Sequence, residues 1–209
     1  MSTDEMQEIS SLRTRTTEIK AISSFTPVVL KFPNLLSTLS SKFGRYSARI
    51  DRCVIEYMPQ IPINSTGTAR FIVIDNRLMG EDKIQAEYAI PVTCKCEIYY
   101  YGNSFTSLNE SHCPWVVKYI LEDSNINSTT LFAKIKAHLK LRTDKKPEDV
   151  PYTPSGIRIL TDRFKDKDVD IWDVGPKGSV LQKPNCSQKR GVSAVVLQKP
   201  NCPLRKKEI

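Results

Sequence analysis

From Leu131 to Arg142 the chain reads L-F-A-K-I-K-A-H-L-K-L-R, with apolar and polar positions alternating strictly from Ala133 onward. Ala133, Ile135, Ala137, Leu139 and Leu141 fall on one side; Lys134, Lys136, His138, Lys140 and Arg142 fall on the other. Successive side chains of a β-strand point to opposite faces, so the pattern predicts one strand with an apolar floor and a cationic roof. Roof side chains then stand about 7 Å apart, a self-repelling row that is costly without a polyanion. Phosphates along a nucleic-acid strand repeat at a comparable spacing, which makes Lys134, Lys136, Lys140 and Arg142, continued by Lys145 and Lys146, candidate backbone contacts. A solvated strand face, or an edge strand protected from aggregation by lysines, explains the same row and stays open.

Period-2 or continuous apolar runs also predict strands at Val28–Phe32, Ile50–Tyr57, Ala69–Ile74, Gln85–Ile90, Thr93–Tyr101, Trp115–Glu122 and Gly156–Leu160. Pro59, Pro62 and the Asn64-Ser65-Thr66-Gly67 turn separate the early ones. One helix is expected from an Asn34 cap through Phe43, ending near Gly44. Its stripe of Leu35, Leu36, Leu39 and Phe43 packs on the body or lies on a membrane surface. A charged turn at Asp162–Asp168 is the best helical candidate after residue 45. Short strands punctuated by Pro, Gly and Asn turns predict a mainly all-β protein, an antiparallel sandwich or barrel with short peripheral helices. Residues 1–24 are expected to be loosely ordered, 25–176 to form the β domain, and 177–209 to form a basic tail of low order.

Charge sharpens this division. The 209-residue chain carries a net +8. Eight of its Lys and Arg, against the single acid Glu208, lie from Lys177 onward, so the body is nearly neutral and its cationic strand is a local concentration. Within the tail, Val180-Leu-Gln-Lys-Pro-Asn-Cys186 recurs as Val196-Leu-Gln-Lys-Pro-Asn-Cys202, too few and too short copies for a solenoid.

No segment reaches the ~20 apolar residues of a membrane-spanning helix and the N-terminus lacks a signal-peptide core, so any membrane contact is expected to be peripheral and the six cysteines reduced. Cys94, Cys96, His112 and Cys113 invite a zinc reading, but no C-x2-C knuckle accompanies them and no metal or cofactor is expected. With two histidines, no phosphate-cradling glycine motif and no nucleophile arrangement, no catalysis is expected either. Tyr99, Tyr100 and Tyr101 are candidates for stacking on bases, though alternation forbids all three from facing one way and core packing explains them as well.

Cys53-Val-Ile-Glu-Tyr57, Pro62-Ile-Asn-Ser-Thr-Gly67, Ile74-Asp-Asn-Arg77, Pro114-Trp115, Asp123-Ser-Asn125, Phe132-Ala-Lys134 through Lys140-Leu141 and Asp168-Val-Asp-Ile-Trp172 together resemble the movement proteins of bipartite geminiviruses (begomoviruses). The likeness runs in order from about Val28 to Gly175. Ile74-Asp75-Asn76-Arg77 also resembles the strand-end aspartate signature of the thirty-kilodalton plant-virus movement superfamily, which implies a jelly-roll-like β-sandwich and a structural role for Asp75. The resemblance further implies carriage of viral single-stranded DNA, with a nuclear shuttle protein, to the cell periphery and through plasmodesmata. Sequence-nonspecific binding of single- or double-stranded DNA, peripheral attachment to the host endoplasmic reticulum or plasma membrane, and self-association are implied with it. The repeated basic tail departs from the begomovirus pattern, so a truncated or divergent C-terminus is expected. A capsid-like packaging protein and a peripheral membrane adaptor without a nucleic-acid role are the alternative readings.

Because residues 177–209 hold +7 of the +8 charge, their deletion is expected to slow association with DNA or anionic lipid and to flatten its salt dependence. Stopped-flow association across a salt series reads this. Thermal melts should stay cooperative, and a lost transition would assign the tail to the core.

Overall fold

The computed structural model describes residues 9–30, 47–107, 114–144 and 150–175. Among the described residues twelve strands run in chain order: β1 Ile9–Arg13, β2 Thr17–Lys20, β3 Thr26–Pro27, β4 Ser47–Pro59, β5 Thr68–Asp75, β6 Ile84–Pro91, β7 Cys96–Tyr100, β8 Thr106–Ser107, β9 Trp115–Glu122, β10 Leu131–Asp144, β11 Gly156–Ile159 and β12 Asp170–Asp173. They form two antiparallel sheets. The first has the order β1-β10-β4-β7-β11, with β2 added to β10 and β8 to β4. The second has the order β12-β6-β5-β9-β3. The chain passes repeatedly between the two, giving a jelly-roll-like β-sandwich.

The apolar floor of β10 explains the packing. Ala133, Ile135, Ala137 and Leu141 are buried against the second sheet, as is the extra inward residue Phe132. Tyr57 and Phe132 from the first sheet meet Phe71 and Tyr119 from the second, with ring centroids 5.7 to 6.4 Å apart in tilted and edge-on geometry favourable to aromatic quadrupoles. Three buried phenols hydrogen-bond across the layers: Tyr57 donates to Val92 O at 2.7 Å, Tyr88 to Tyr99 O at 3.1 Å and Tyr119 to Lys20 O at 3.0 Å. Each thereby brings its polar end into the core with a partner.

The core strands fall close to the hydropathy pattern, and the departures have physical causes. Residues 9–20, expected to be loosely ordered, form β1 and β2, which lie end to end along one side of β10. Thr14 spans the break: its backbone N–H donates to Ala137 O at 2.9 Å, and its buried hydroxyl accepts from Ala137 N at 2.8 Å. Single-strand periodicity is too short there to register, because the pairing comes from a partner more than a hundred residues away. The strand expected at Val28–Phe32 does not form over its described residues. β3 is the two-residue Thr26–Pro27, and 28–30 lie past its end, with Leu30 N turning back to donate to Val28 O at 2.9 Å. Residues 31–32 lie outside the described residues. The charged turn at Asp162–Asp168 holds one short 3-10 turn, Asp166–Asp168. β4 alternates loosely because it contains a bulge: Arg52 pairs with Lys140 and Ile50 with Leu141, leaving Asp51 unmatched. The extra residue moves the inward set from Ala48 and Ile50 to Cys53, Ile55 and Tyr57, so one strand serves the core in both phases. Gly67 closes the turn before β5 at φ +131°, where an added Cβ would sit 2.7 Å from Ser124 Cβ.

β10 is an interior strand, flanked by β4 on one side and by β1 and β2 on the other, so the edge-strand explanation of its lysines fails. The helix expected at 34–43, with Leu35, Leu36, Leu39 and Phe43, lies outside the described residues, as does the tail. No helix among the described residues is long and apolar enough to cross a membrane.

Ile135, fully buried in β10, tests this core. Ile135→Ala is expected to lower stability by about 2–5 kcal/mol through the lost burial and the cavity left behind. Urea denaturation of variant and parent measures the difference.

Candidate nucleic-acid interface

The roof of β10 lies on the outward face of the first sheet. Lys134, Lys136, His138, Lys140 and Arg142 are all partly exposed, and strand pairing brings further cations beside them. Arg13 of β1 stands opposite His138, and Arg52 and Arg49 of β4 stand opposite Lys140 and Arg142. Lys145 and Lys146 lie outside the described residues.

The row is not the uncompensated column of charge that alternation alone suggests. Neighbouring strands supply carboxylates. Lys134 Nζ lies 3.5 Å from Glu18 on β2, His138 Nε2 lies 2.6 Å from Glu56 on β4, and Lys140 Nζ lies 3.8 Å from Asp51 in the bulge. Cross-strand opposite charges offset the repulsion along β10, so stability by itself does not demand a polyanion. Lys136 and Arg142 have no ion pair among the described residues. Further along the face, Glu97 of β7 accepts a hydrogen bond from the Tyr99 hydroxyl and pairs with Arg158 of β11 at 3.6 Å. Tyr99 therefore shares the face, Tyr100 is buried in the core, and Tyr101 is half-buried just past the strand.

Asp75 ends β5 and is 2% exposed. Its Oδ1 accepts from the Arg77 backbone N at 3.0 Å and from Arg77 Nε at 2.9 Å, while Oδ2 accepts from Arg77 Nη2 at 2.6 Å. The carboxylate thus caps its own turn and binds the guanidinium bidentately. Arg77 continues to the Ser104 hydroxyl and the Phe105 carbonyl and lies 5.6 Å from the Trp115 ring centroid. Three chain segments meet there: the end of β5, the 104–105 loop and the start of β9. Burial pushes the Asp75 carboxyl up, but the hydrogen bonds and charge of Arg77, with Ser104, outweigh it and hold its pKa below the ordinary value. Nothing in this arrangement presents a reacting group.

Cys94 and Cys96 are buried, and burial also pushes the Cys53 thiol up to about 12, which makes it a poor nucleophile. His112 and Cys113 lie outside the described residues, and no group of three or more potential metal ligands occurs among the described residues.

Comparison with known proteins now bears on the site. The family model described as "Geminivirus BL1 movement protein" matches residues 10–204. The chain belongs to the geminivirus BL1 movement protein family. It is 37% identical over 185 residues to "Movement protein BC1" of Indian cassava mosaic virus, covering 87% of this chain and 64% of the relative. It is 32% identical over 180 residues to the protein of the same name from Mungbean yellow mosaic virus (strain Vigna), covering 86% and 60%. For African cassava mosaic virus (isolate Nigerian) the identity is 33% over 159 residues, covering 76% and 53%. The chain therefore spans between about half and two thirds of the length of these relatives. The family match reaches further at both ends than the likeness from Val28 to Gly175, taking in β1, β2 and most of the repeated tail. Similar solved structures include the cryo-EM structure of a semi-empty Macrobrachium rosenbergii nodavirus particle (TM-score 0.43, 9% identity, 72% of this chain and 100% of that chain). The crystal structure of Cucumber Necrosis Virus is similar at TM-score 0.44 and 11% identity, covering 69% of this chain and 58% of that one.

Asp75→Ala is expected to cost about 3 kcal/mol, the low end for breaking a buried pair because Arg77 keeps some contact with solvent. The depressed carboxyl also sets the pH dependence. Its contribution is complete above the ordinary Asp value of about 3.9 and is lost as pH falls through its lower folded value. Asp75→Asn should remove that part of the acid limb, as read by denaturation at a series of pH values.

Proposed function

We propose that this chain is a non-enzymatic viral movement protein that binds nucleic acid, without sequence preference, along the outward face of the first sheet. Membership of the geminivirus BL1 family supports the transport role. The observation that carries the binding role is the interior strand β10, which holds Lys134, Lys136, Lys140 and Arg142 in one row on a solvent-facing sheet surface. An interior strand is fixed on both sides, so the row is a pre-organised track rather than a mobile charge cluster. Contacts of this kind read phosphate and not base edges, which accounts for a cargo of arbitrary sequence. Tyr99 and Tyr101 lie where a strand on the track could stack a base.

On this reading the cargo is viral single-stranded DNA, handed over with a nuclear shuttle protein, brought to the cell periphery and passed through plasmodesmata. Peripheral attachment to host membranes and self-association belong to the same proposal, with Leu35, Leu36, Leu39 and Phe43 the candidate membrane-surface residues. Asp75 and its Arg77 pair act in the same proposal as architecture that holds the sandwich ends together, not as a reacting group.

Replacing Lys134, Lys136, Lys140 and Arg142 together with Gln is expected to weaken binding of all single-stranded DNA sequences alike. Each lost contact removes about 0.7 from the slope of log K against log salt, up to about three units in all. Stability should move by less than about 1 kcal/mol, since the partners lost are surface ion pairs. Titration of fluorescent oligonucleotides at several salt concentrations, with thermal melts, measures both. Unchanged affinity and slope would reduce the face to solvated surface and defeat the proposal.

A further inference from the structure

At the β4 bulge, strand pairing gathers four cations near one carboxylate, which is ion-paired with two of them. Arg49 stands directly opposite Arg142, and Arg52 directly opposite Lys140. Opposed residues of antiparallel strands are about 5 Å apart at Cα, so both pairs are like-charge contacts that destabilise the sheet. Asp51, extruded by the bulge, is the sole carboxylate ion-paired with any of the four among the described residues, at 3.0 Å from Arg49 and 3.8 Å from Lys140. Elsewhere on β10 the compensation is one to one: Lys134 with Glu18, His138 with Glu56.

Arg49 is the least typical of the four. It is 6% exposed, with Nη1 3.4 Å from Gly102 O and the guanidinium 5.8 Å from the Phe105 ring centroid. Its Nε is buried and has no hydrogen-bond partner, and the same is true of Arg142 Nε across the strand. Buried unsatisfied donors on charged groups are costly, and two of them side by side beneath an excess of positive charge lack one thing, an anionic acceptor. Guanidinium groups present forked N–H pairs that match the oxygens of a phosphate, which a lysine ammonium does not.

We propose that Arg49 and Arg142, flanked by Arg52 and Lys140, form a seat for a single phosphate group. Asp51 holds the Arg49 guanidinium and the Lys140 ammonium in place and competes with the incoming oxyanion. The source of that phosphate, a nucleic-acid backbone, rests on the function proposed above; the seat itself rests on the local geometry. It fixes one phosphate on this face and so sets where the strand enters the track.

The test uses the full chain and the variant Arg142→Lys, which keeps the charge and removes the fork at a half-buried position. Thermal melts in sodium phosphate and in sodium chloride of matched ionic strength should show phosphate stabilising the parent, Arg142→Lys losing that gain, and Asp51→Asn enlarging it. Fluorescent single-stranded DNA should bind Arg142→Lys about tenfold more weakly with an unchanged salt slope. The double variant Lys134→Gln/Lys136→Gln, remote from the seat, should instead lose about 1.4 units of slope and keep the stabilisation by phosphate. If Arg142→Lys matches the parent in both assays, the seat is overturned, while a slope lost in the double variant still supports the track. If Arg142 is needed for stabilisation by phosphate, or for binding vesicles containing phosphatidylinositol bisphosphate, but DNA does not bind, the nucleic-acid source and the track are overturned together.

Discussion

The pairing of β10 with β4, continuous from Ala133 to Asp144, is the constraint on which the rest of the structure depends. It sets a fourteen-residue strand, alternating in sequence from Ala133 to Arg142, in the interior of a sheet. Once that register is set, every floor residue of β10 faces the second sheet and every roof residue faces solvent. A slip of one residue would turn the lysines inward, a cost no other part of the fold could offset. The bulge at Asp51 is the accommodation that lets β4 follow β10 while its own apolar phase changes. The same extra residue places a carboxylate among the cations at one end of the roof. Core packing and surface electrostatics are therefore two results of one register.

That surface is patterned rather than uniformly positive. Glu18 of β2 and Glu56 and Asp51 of β4 reach the roof, so the face has positive sites separated by acids. Such a surface limits non-specific association with any anion and favours a ligand whose charges are spaced to meet the sites left open, at Lys136 and around Arg142. The outward face of the second sheet shows the contrasting case. There Arg70 is held between Glu87 and Glu122, a closed triad with its charge satisfied internally.

Asp75 illustrates a different use of charge. Its bidentate pair with Arg77, capped by Ser104 and covered by Trp115, ties the end of the β5–β9 ladder, where Asp75 pairs with Trp115, to the 104–105 loop. A buried pair of this kind contributes modestly to net stability and strongly to uniqueness of geometry, because removing either partner leaves an uncompensated charge. The strand-end aspartate is thus bound into the packing of this chain through Arg77 and Ser104.

Much of this was legible in the amino-acid sequence, since a half-buried strand records its own two faces. The floor and roof of β10, the positions of β5, β6 and β9 and the turn at Asp75 all follow from period, punctuation and local hydrogen-bonding capacity. What the tertiary structure decided was whatever depends on a partner distant in the chain. β1 and β2 carry too few residues to show a period and become strands only through β10. The carboxylates beside the roof come from two other strands, so alternation along β10 displayed the cations and concealed their compensation. The opposition of Arg49 to Arg142 required knowing both the strand pairing and the bulge, and a bulge has no signature beyond a loss of clean alternation. Local sequence determines which way a side chain points; only the pairing of strands determines what it meets.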